Sequence, residues 1–197
     1  MKRNLSLLGL AAVLTAPVCA ADNYTIDSKH AFPVFEVNHL GFTTQRGRFD
    51  KTSGKITLDL AARKGSVELT IDTTSLDMGF EEWNRHVTDE KFFNVAKYPT
   101  MTYRSQNLIF DGDKVVAADG ELTLLGVTRP LRVTVSGFKC ATHPMLHKPL
   151  CAGDVSAHIK RSDFGMSQYV PAVGDDVKID VPIEAYQDTP TLPGDSR

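Results

Sequence analysis

The sequence predicts an all-β protein, an antiparallel β-barrel of about eight strands with one short helical crossover. Three observations support this class. Apolar and polar residues alternate with a period of two along most of the chain, turn signals separate the alternating runs, and one stretch has helical spacing instead. The 197 residues are enough for one domain with a substantial core.

The first segment is predicted to be an export signal. Lys2 and Arg3 supply a positive start, and an apolar stretch then leads to a run of small residues. The apolar stretch is too short to span a bilayer. Cleavage after Ala20 or after Ala21 fits a signal peptidase site, and both remain open. We assign residues 1–21 to the removed signal and expect the protein in the periplasm.

Loss of the signal changes the charge and the cysteine count. Lys and Arg fall from 22 to 20 against 24 Asp and Glu. This acidic excess, without a basic stripe, argues against a nucleic-acid partner. Cys19 leaves with the signal, so Cys140 and Cys151 remain as an even pair in an oxidising compartment. A disulfide between them is therefore predicted.

The alternating runs give the strands in order, because a strand with one buried face places apolar residues at every second position. The runs are 56–60, 67–71, 131–135, 155–159 and 177–183, with 32–42, 101–108 and 120–125 as further strands. Turn signals at 52–54, 111–113 and 174–176 predict hairpins. A barrel of eight strands is wide enough for its own side chains or for one slender ligand. A two-sheet sandwich requires the same alternation and stays open as an alternative.

Residues 75–95 interrupt the alternation. Phe80, Trp83 and Val87 recur at helical spacing, which predicts a crossover with one or two short helices whose apolar stripe faces the barrel. Residues 187–197 contain two prolines and no apolar period, so we expect a flexible tail there and a barrel domain over 22–186.

Several short motifs follow one another in a fixed order over nearly all of the chain after the signal. They are His39-Leu40-Gly41-Phe42, Gly47-Arg48-Phe49, Glu90-Lys91-Phe92-Phe93-Asn94-Val95 with Tyr98-Pro99, the segment 120–130, and Arg161-Ser162-Asp163-Phe164-Gly165-Met166. In this order they resemble the YceI-like family of periplasmic lipid-binding proteins. The resemblance implies an extended lipocalin-like barrel whose apolar channel holds a polyisoprenoid, a quinone or a fatty acyl chain, and it brings no catalytic residues.

Aromatic and methionine side chains cluster around these motifs and suit a flexible hydrocarbon ligand. The candidate lining residues are Phe32, Phe35, Phe42, Trp83, Phe92, Phe93, Met101, Tyr103, Phe164, Met166 and Tyr169. Taken singly, each fits an ordinary filled core better than a channel, because large apolar residues are mostly just buried, and only the set as a whole indicates a ligand. Arg161 is a candidate for contact with a ligand head group at the channel mouth, or else part of a strand-end turn.

The predicted function is to carry or sequester a long apolar lipid, a polyisoprenoid or an isoprenoid quinone, without enzymatic activity and with no cofactor other than that lipid. Two alternatives remain. One is a stress-response or interaction module with a filled core. The other is a metal-binding or hydrolytic protein that uses Cys140, His143, His147 and Cys151. Transient membrane contact and homodimer formation are also left open.

Overall fold

A computed structural model describes residues 21–189, and this part of the chain forms eleven strands and one α-helix. The all-β prediction is confirmed. Apart from Ala21, the predicted export signal lies outside the described residues. The strands are β1 (Asp22–Ile26), β2 (Val34–His39), β3 (Thr43–Phe49), β4 (Thr52–Asp59), β5 (Lys64–Asp72), β6 (Leu76–Asp77), β7 (Thr100–Asp111), β8 (Lys114–Leu124), β9 (Val127–Thr142), β10 (Pro149–Lys160) and β11 (Val173–Gln187), and the helix is α1 (Glu81–Thr88).

Strand β1 closes the barrel. It pairs on one side with β4, where Tyr24 lies opposite Ile56, and on the other side with β11, where Tyr24 lies opposite Gln187. The antiparallel ring is therefore β1, β4, β5, β7, β8, β9, β10 and β11, which confirms the predicted number of eight strands. A closed ring also decides against the sandwich, which needs two separate sheets.

The three remaining strands extend the wall at one end. Strand β11 pairs with β1 near its last residues but with β2 near its first, where Ile179 lies opposite Phe35. Strands β3 and β6 continue the sheet beyond β2. We call this the upper end; it carries the β2–β3 turn, α1 and the loop 161–172. The turns β4–β5, β7–β8 and β9–β10 lie at the lower end.

The crossover predicted at 75–95 contains α1. Trp83 and Val87 of the predicted stripe line the cavity, but Phe80 precedes the helix and is exposed, so its place in the stripe was wrong. Glu81 begins the helix and Arg85 and His86 lie in its last turn, which complements the helix dipole. Asn84 Oδ1 accepts a hydrogen bond of 2.7 Å from the N–H of Met78, which fastens the helix to the segment after β6. Within residues 21–189, no helix is long and apolar enough to cross a membrane.

The turn signals were right once and wrong twice. Residues 112–113 form the β7–β8 turn as predicted, but 52–54 lie inside β4 and 174–176 inside β11. Gly54 is in a strand because its missing side chain lets the backbone of Glu68 approach closely. In β11 the register shifts between Val173 and Val177, so the turn signal at 174–176 marks an irregularity in the strand pairing and not a hairpin.

The barrel continues past its expected end at residue 186. Gln187 still belongs to β11, and the N–H of Asp188 donates to the carbonyl of Asn23 over 2.8 Å. Lys55 Nζ lies 2.9 Å from a carboxylate oxygen of Asp188. The tail was predicted to begin at residue 187, but Gln187 and Asp188 belong to the barrel. Backbone hydrogen bonds to β1 hold these two residues, although the sequence shows no apolar period there. Residues 190–197 lie outside the described part of the chain.

The predicted disulfide joins Cys140 of β9 to Cys151 of β10, which lie directly opposite each other. The four-ligand metal alternative therefore has no thiolates, and it is wrong for this loop. His143 has a different role, because its Nδ1 accepts hydrogen bonds from the N–H groups of Met145 and Leu146 over 3.2 and 3.1 Å. The loop between the two cysteines is a closed hairpin.

Candidate ligand-binding channel

The barrel encloses an apolar cavity of about 500 Å³. The wall consists of the inward residues of the alternating strands, so the period of two predicted from the sequence becomes the inner face of the barrel. Typical pairs are Leu69 and Ile71 from β5 and Val155 and Ala157 from β10. The volume lies within the usual range of ligand pockets, roughly 300–1,000 Å³. The interior is therefore not filled by its own side chains.

Eight of the eleven predicted lining residues lie on the cavity wall. They are Phe35, Trp83, Phe92, Phe93, Met101, Tyr103, Met166 and Tyr169. Phe35 and Phe93 form a cluster with Phe49, with ring centroids 5.3 to 5.9 Å apart. These rings come from β2, β3 and the segment after α1, so only the folded barrel brings them together.

Three of the predicted lining residues do not reach the cavity. Phe42 is 87% exposed in the β2–β3 turn. Phe32 is half-buried on another side, with the Arg48 guanidinium 4.6 Å from its ring centroid. Phe164 is buried in a short 3-10 turn and packs in the core without lining the channel. Closeness to a motif did not determine on which side of the wall a ring would lie.

Arg161 lines the upper part of the cavity, and four of the five N–H groups of its guanidinium are bound to backbone carbonyls. Nε donates to the carbonyl of Gly174 over 2.8 Å, Nη1 donates to Met166 over 2.9 Å, and Nη2 donates to Gln168 and Val173 over 2.8 and 2.9 Å. The side chain therefore holds the loop 161–172 against β11. These contacts favour the role in a strand-end turn, and head-group contact through Arg161 stays a prediction.

The electrostatics around Arg161 agree with that role. Burial lowers the pKa of Arg161, and the nearby Asp175 carboxylate opposes this shift. Asp175 in turn accepts from the hydroxyl of Ser162 over 2.7 Å and from its N–H over 2.9 Å, which lowers the pKa of this carboxyl. The buried cation thus has a partly buried anion close by.

Tyr103 contributes its ring to the wall, while its hydroxyl is bound to the sheet. The hydroxyl lies 3.0 Å from the carbonyl of Ala118 and 3.2 Å from that of Leu131. Burial, with a smaller effect of Asp119, raises the pKa of Tyr103 to about 12. A ligand therefore meets the apolar face of this residue.

Three polar residues at the upper end of the cavity are not among the predicted lining residues. His39, Gln45 and His86 all lie on its wall. The His39 ring is 5.9 Å from that of Trp83, and the His86 ring is 4.9 Å from that of Phe92. His39 is the first residue of one of the family-like motifs and His86 lies on the helical segment. The sequence does not show which way either side chain points.

The cavity opens beside α1. Among the described residues that line it, the three exposed ones are Trp83, His86 and Tyr169. The rings of His86 and Tyr169 stack with centroids 6.4 Å apart. Trp83 and His86 belong to α1 and Tyr169 to the loop 161–172, so one helix and one loop frame the opening.

A separate group of side chains could hold a metal ion on the outside of the barrel. Asp27, His30 and Glu184 each place one ligand atom within 4.8 Å of the others. His30 Nδ1 lies 2.8 Å from a carboxylate oxygen of Asp27, and this hydrogen bond is the main reason that the pKa of His30 is raised. The group is solvent-accessible and stands apart from the channel.

Together, the closed barrel and the apolar cavity with a polar end define the class of β-barrel proteins that bind a hydrophobic molecule inside. The chain belongs to the YceI-like family, whose domain matches residues 24–185.

Relatives of similar length support this assignment. A UPF0312 protein of Shewanella denitrificans is 35% identical over 193 residues, which is 95% of this chain and all of the relative. A UPF0312 protein of Vibrio cholerae is 36% identical over 148 residues, covering 73% of this chain and 78% of the relative.

Solved structures share the fold. The YCEI protein of Campylobacter jejuni is 25% identical with a TM-score of 0.66, covering 77% of this chain and 90% of that one. A domain from Saccharophagus degradans, described as polyisoprenoid-binding and implicated in plant cell wall breakdown, is 18% identical with a TM-score of 0.60. The structural match covers 84% of this chain and 98% of that domain.

Proposed function

We propose that this protein is a periplasmic carrier or sequestering protein that buries a long isoprenoid lipid, a polyisoprenoid or an isoprenoid quinone, inside its barrel. The observation that carries the proposal is the open cavity of about 500 Å³ with its nearly uncharged apolar wall. The polyisoprenoid-binding domain that shares the fold is consistent with this ligand class.

Burial alone supplies the driving force. Each methylene group moved from water to an apolar wall contributes about 0.8 kcal/mol, so a long chain can offset the loss of its translational freedom. No covalent step is required, and the protein acts by binding and release. Among the lining residues described, Arg161 alone has a permanent charge, and its guanidinium donates four hydrogen bonds to backbone carbonyls.

The polar groups at the upper end give the ligand a direction. His39, Gln45 and His86 lie where the cavity opens beside α1, and imidazole and amide groups can donate to a carbonyl or alcohol oxygen. The lower part of the wall offers aliphatic residues such as Leu108 and Val115. We therefore propose that the tail lies deep in the barrel and that an oxygen-bearing head group lies beside α1.

The test is extraction and mass spectrometry of lipid from protein isolated in native form from the periplasm. We expect a stoichiometric isoprenoid lipid and a mature chain that starts at Ala21 or Asp22. Phe93→Asp places a charge on the wall and should lower lipid occupancy at least tenfold, because a hydrocarbon cannot pair that charge. Met145→Asp is the matched control, since Met145 lies in the β9–β10 turn outside the channel and is exposed.

A second variant keeps the test valid if Phe93→Asp does not fold. Ala157 is a small residue on the wall, so Ala157→Phe fills part of the cavity without adding a polar group. It should also reduce the recovered lipid. If correctly folded Ala157→Phe and Phe93→Asp carry as much lipid as the unaltered protein, or if the unaltered protein carries none, the proposal is wrong.

A further inference from the structure

Large apolar side chains are exposed around the opening of the channel. Leu40 and Phe42 lie in the β2–β3 turn, Phe80 and Trp83 lie at the start of α1, and Tyr169 and Val170 lie in the loop 161–172. We call these six residues the rim. They come from three separate segments of the chain, and all three segments lie at the upper end of the barrel.

Contacts join the three segments of the rim into one surface. The N–H of Leu40 donates to the carbonyl of Ala172 over 2.8 Å, which brings the β2–β3 turn to the loop of Tyr169. His39, the residue before Leu40, has its ring 5.9 Å from that of Trp83. Trp83 and Tyr169 are themselves part of the cavity wall. The apolar surface therefore continues from the rim into the channel.

The rim differs from the lower end in charge. Residues 37–45 and 164–174 contain no Asp, Glu, Lys or Arg, although both are surface segments. The lower turns do contain charges: Arg63 and Lys64 in one, and Lys139 and Lys148 flanking another. On α1, at the border of the rim, Glu81 and Glu82 outnumber Arg85, which lies 3.8 Å from Glu81, so the start of the helix keeps a small negative excess.

We propose that the rim docks on the surface of a neutral lipid bilayer and that lipid passes between the bilayer and the channel there. The inference rests on the proposed function for its purpose. A long apolar chain that left the channel into water would expose its whole length, so the opening must face an apolar phase. The uncharged loops can enter the interface without burying ions, and the acidic start of α1 disfavours anionic lipid.

The probe is flotation of the mature protein with vesicles of phosphatidylcholine, with and without anionic phosphatidylglycerol. The rim variant combines Leu40→Asp with Phe42→Asp, and both side chains lie outside the cavity. The matched control combines Met145→Asp with Leu146→Asp, two exposed apolar residues at the lower end, 79% and 56% exposed. We expect the rim variant to lose about tenfold or more in vesicle binding and the control to keep it.

The outcomes separate this inference from the proposed function. Lost vesicle binding by a correctly folded rim variant, with binding kept by the lower-end control, supports docking. A lipid-loaded protein that fails to bind neutral vesicles overturns docking and leaves the carrier function standing. Rim-dependent vesicle binding by a protein that carries no lipid supports docking and overturns the carrier function. Docking is also overturned if vesicle binding needs anionic lipid and disappears in salt, or if the control variant loses vesicle binding equally. It is overturned as well if the rim is the contact of a homodimer that Leu40→Asp and Phe42→Asp dissociate.

Discussion

The ring of Phe35 lies across Gly47, its partner on the neighbouring strand, and occupies the space that a side chain at position 47 would need. The same space is bordered by the sulfur of Met78. The glycine of the Gly47-Arg48-Phe49 motif thus makes room for one wall of the channel. An aromatic ring over a cross-strand glycine also helps to fix the register of the two strands.

Gly47→Ala should destabilise the protein by about 1–3 kcal/mol, because the new methyl group forces the Phe35 ring out of its position. Urea denaturation measures the change. Phe35→Leu in the Gly47→Ala background should recover part of the loss, which a double-mutant cycle reports as a coupling energy. Independent, additive effects of the two substitutions would show that the ring and the glycine are not coupled.

Arg161→Met should lower the free energy of unfolding by about 3 kcal/mol or more, because hydrogen bonds from a charged group contribute about 1.5–3 kcal/mol each and four carbonyls lose their donor. Arg132→Met is the control, since Arg132 is exposed and its guanidinium lies 3.5 Å from Asp119. Such a surface pair contributes about 0–1 kcal/mol. Equal effects in the two variants would contradict the role of Arg161.

The buried phenol of Tyr103 predicts a loss of stability at alkaline pH. Its pKa is about 12 in the folded protein and 10 in its ordinary state, so folding favours the neutral form. The stability that this pKa difference contributes to the folded state is complete below pH 10 and is lost as the pH rises through about 12. Tyr103→Phe should cost about 1 kcal/mol at neutral pH, because the hydrogen bonds to the sheet are lost, and should lose less stability above pH 10.

Tyr169→Phe is the control for that experiment, because its phenol is exposed at the channel mouth. It should stay within about 0.5 kcal/mol of the unaltered protein at neutral pH. Chemical denaturation at a series of pH values measures both variants. An alkaline loss in Tyr103→Phe as steep as in the unaltered protein would refute the assignment to Tyr103.

The disulfide closes a loop of ten residues between Cys140 and Cys151, which corresponds to about 2–3 kcal/mol in the chain-entropy treatment. Replacing both cysteines with serine should lower the free energy of unfolding by that amount. Intact mass after alkylation, with and without reductant, tests the bond itself. Two alkylated thiols in freshly isolated, unreduced protein would contradict it.

Trp83 should report ligand binding by fluorescence, because the indole lies on the channel wall and is 37% exposed. A quinone with an isoprenoid tail should quench it saturably in delipidated, folded protein. A saturated polyisoprenoid of similar length should compete the quenching away. Linear quenching that the competitor leaves unchanged would mean that the ligand does not lie beside Trp83.

Much of the barrel could be predicted from the sequence. The alternating residues of segments such as 67–71 and 155–159 became strands whose apolar members face the channel, and the helical spacing of Trp83 and Val87 became α1. These patterns were sufficient because each depends only on local periodicity against one buried face. The even cysteine pair likewise pointed to its disulfide without any knowledge of the register.

In the irregular segments, the sequence could not predict on which side of the barrel wall a residue lies. Phe35 and Phe42 belong to neighbouring motifs, yet one lines the cavity and the other lies in solvent. Their positions depend on where β2 ends and its turn begins. Alternation therefore identifies inward residues within a strand but gives no direction to residues in a turn or loop.

The sequence by itself determined the class of fold, the inner faces of the strands and the apolar character of the interior, because these follow from the order of apolar and polar residues. Only the tertiary structure decided that β1 closes the ring, that an unfilled channel opens beside Trp83 and Tyr169, and that Arg161 is bound to carbonyls. These features arise from contacts between residues distant in the chain, whose geometry is fixed only when the barrel closes.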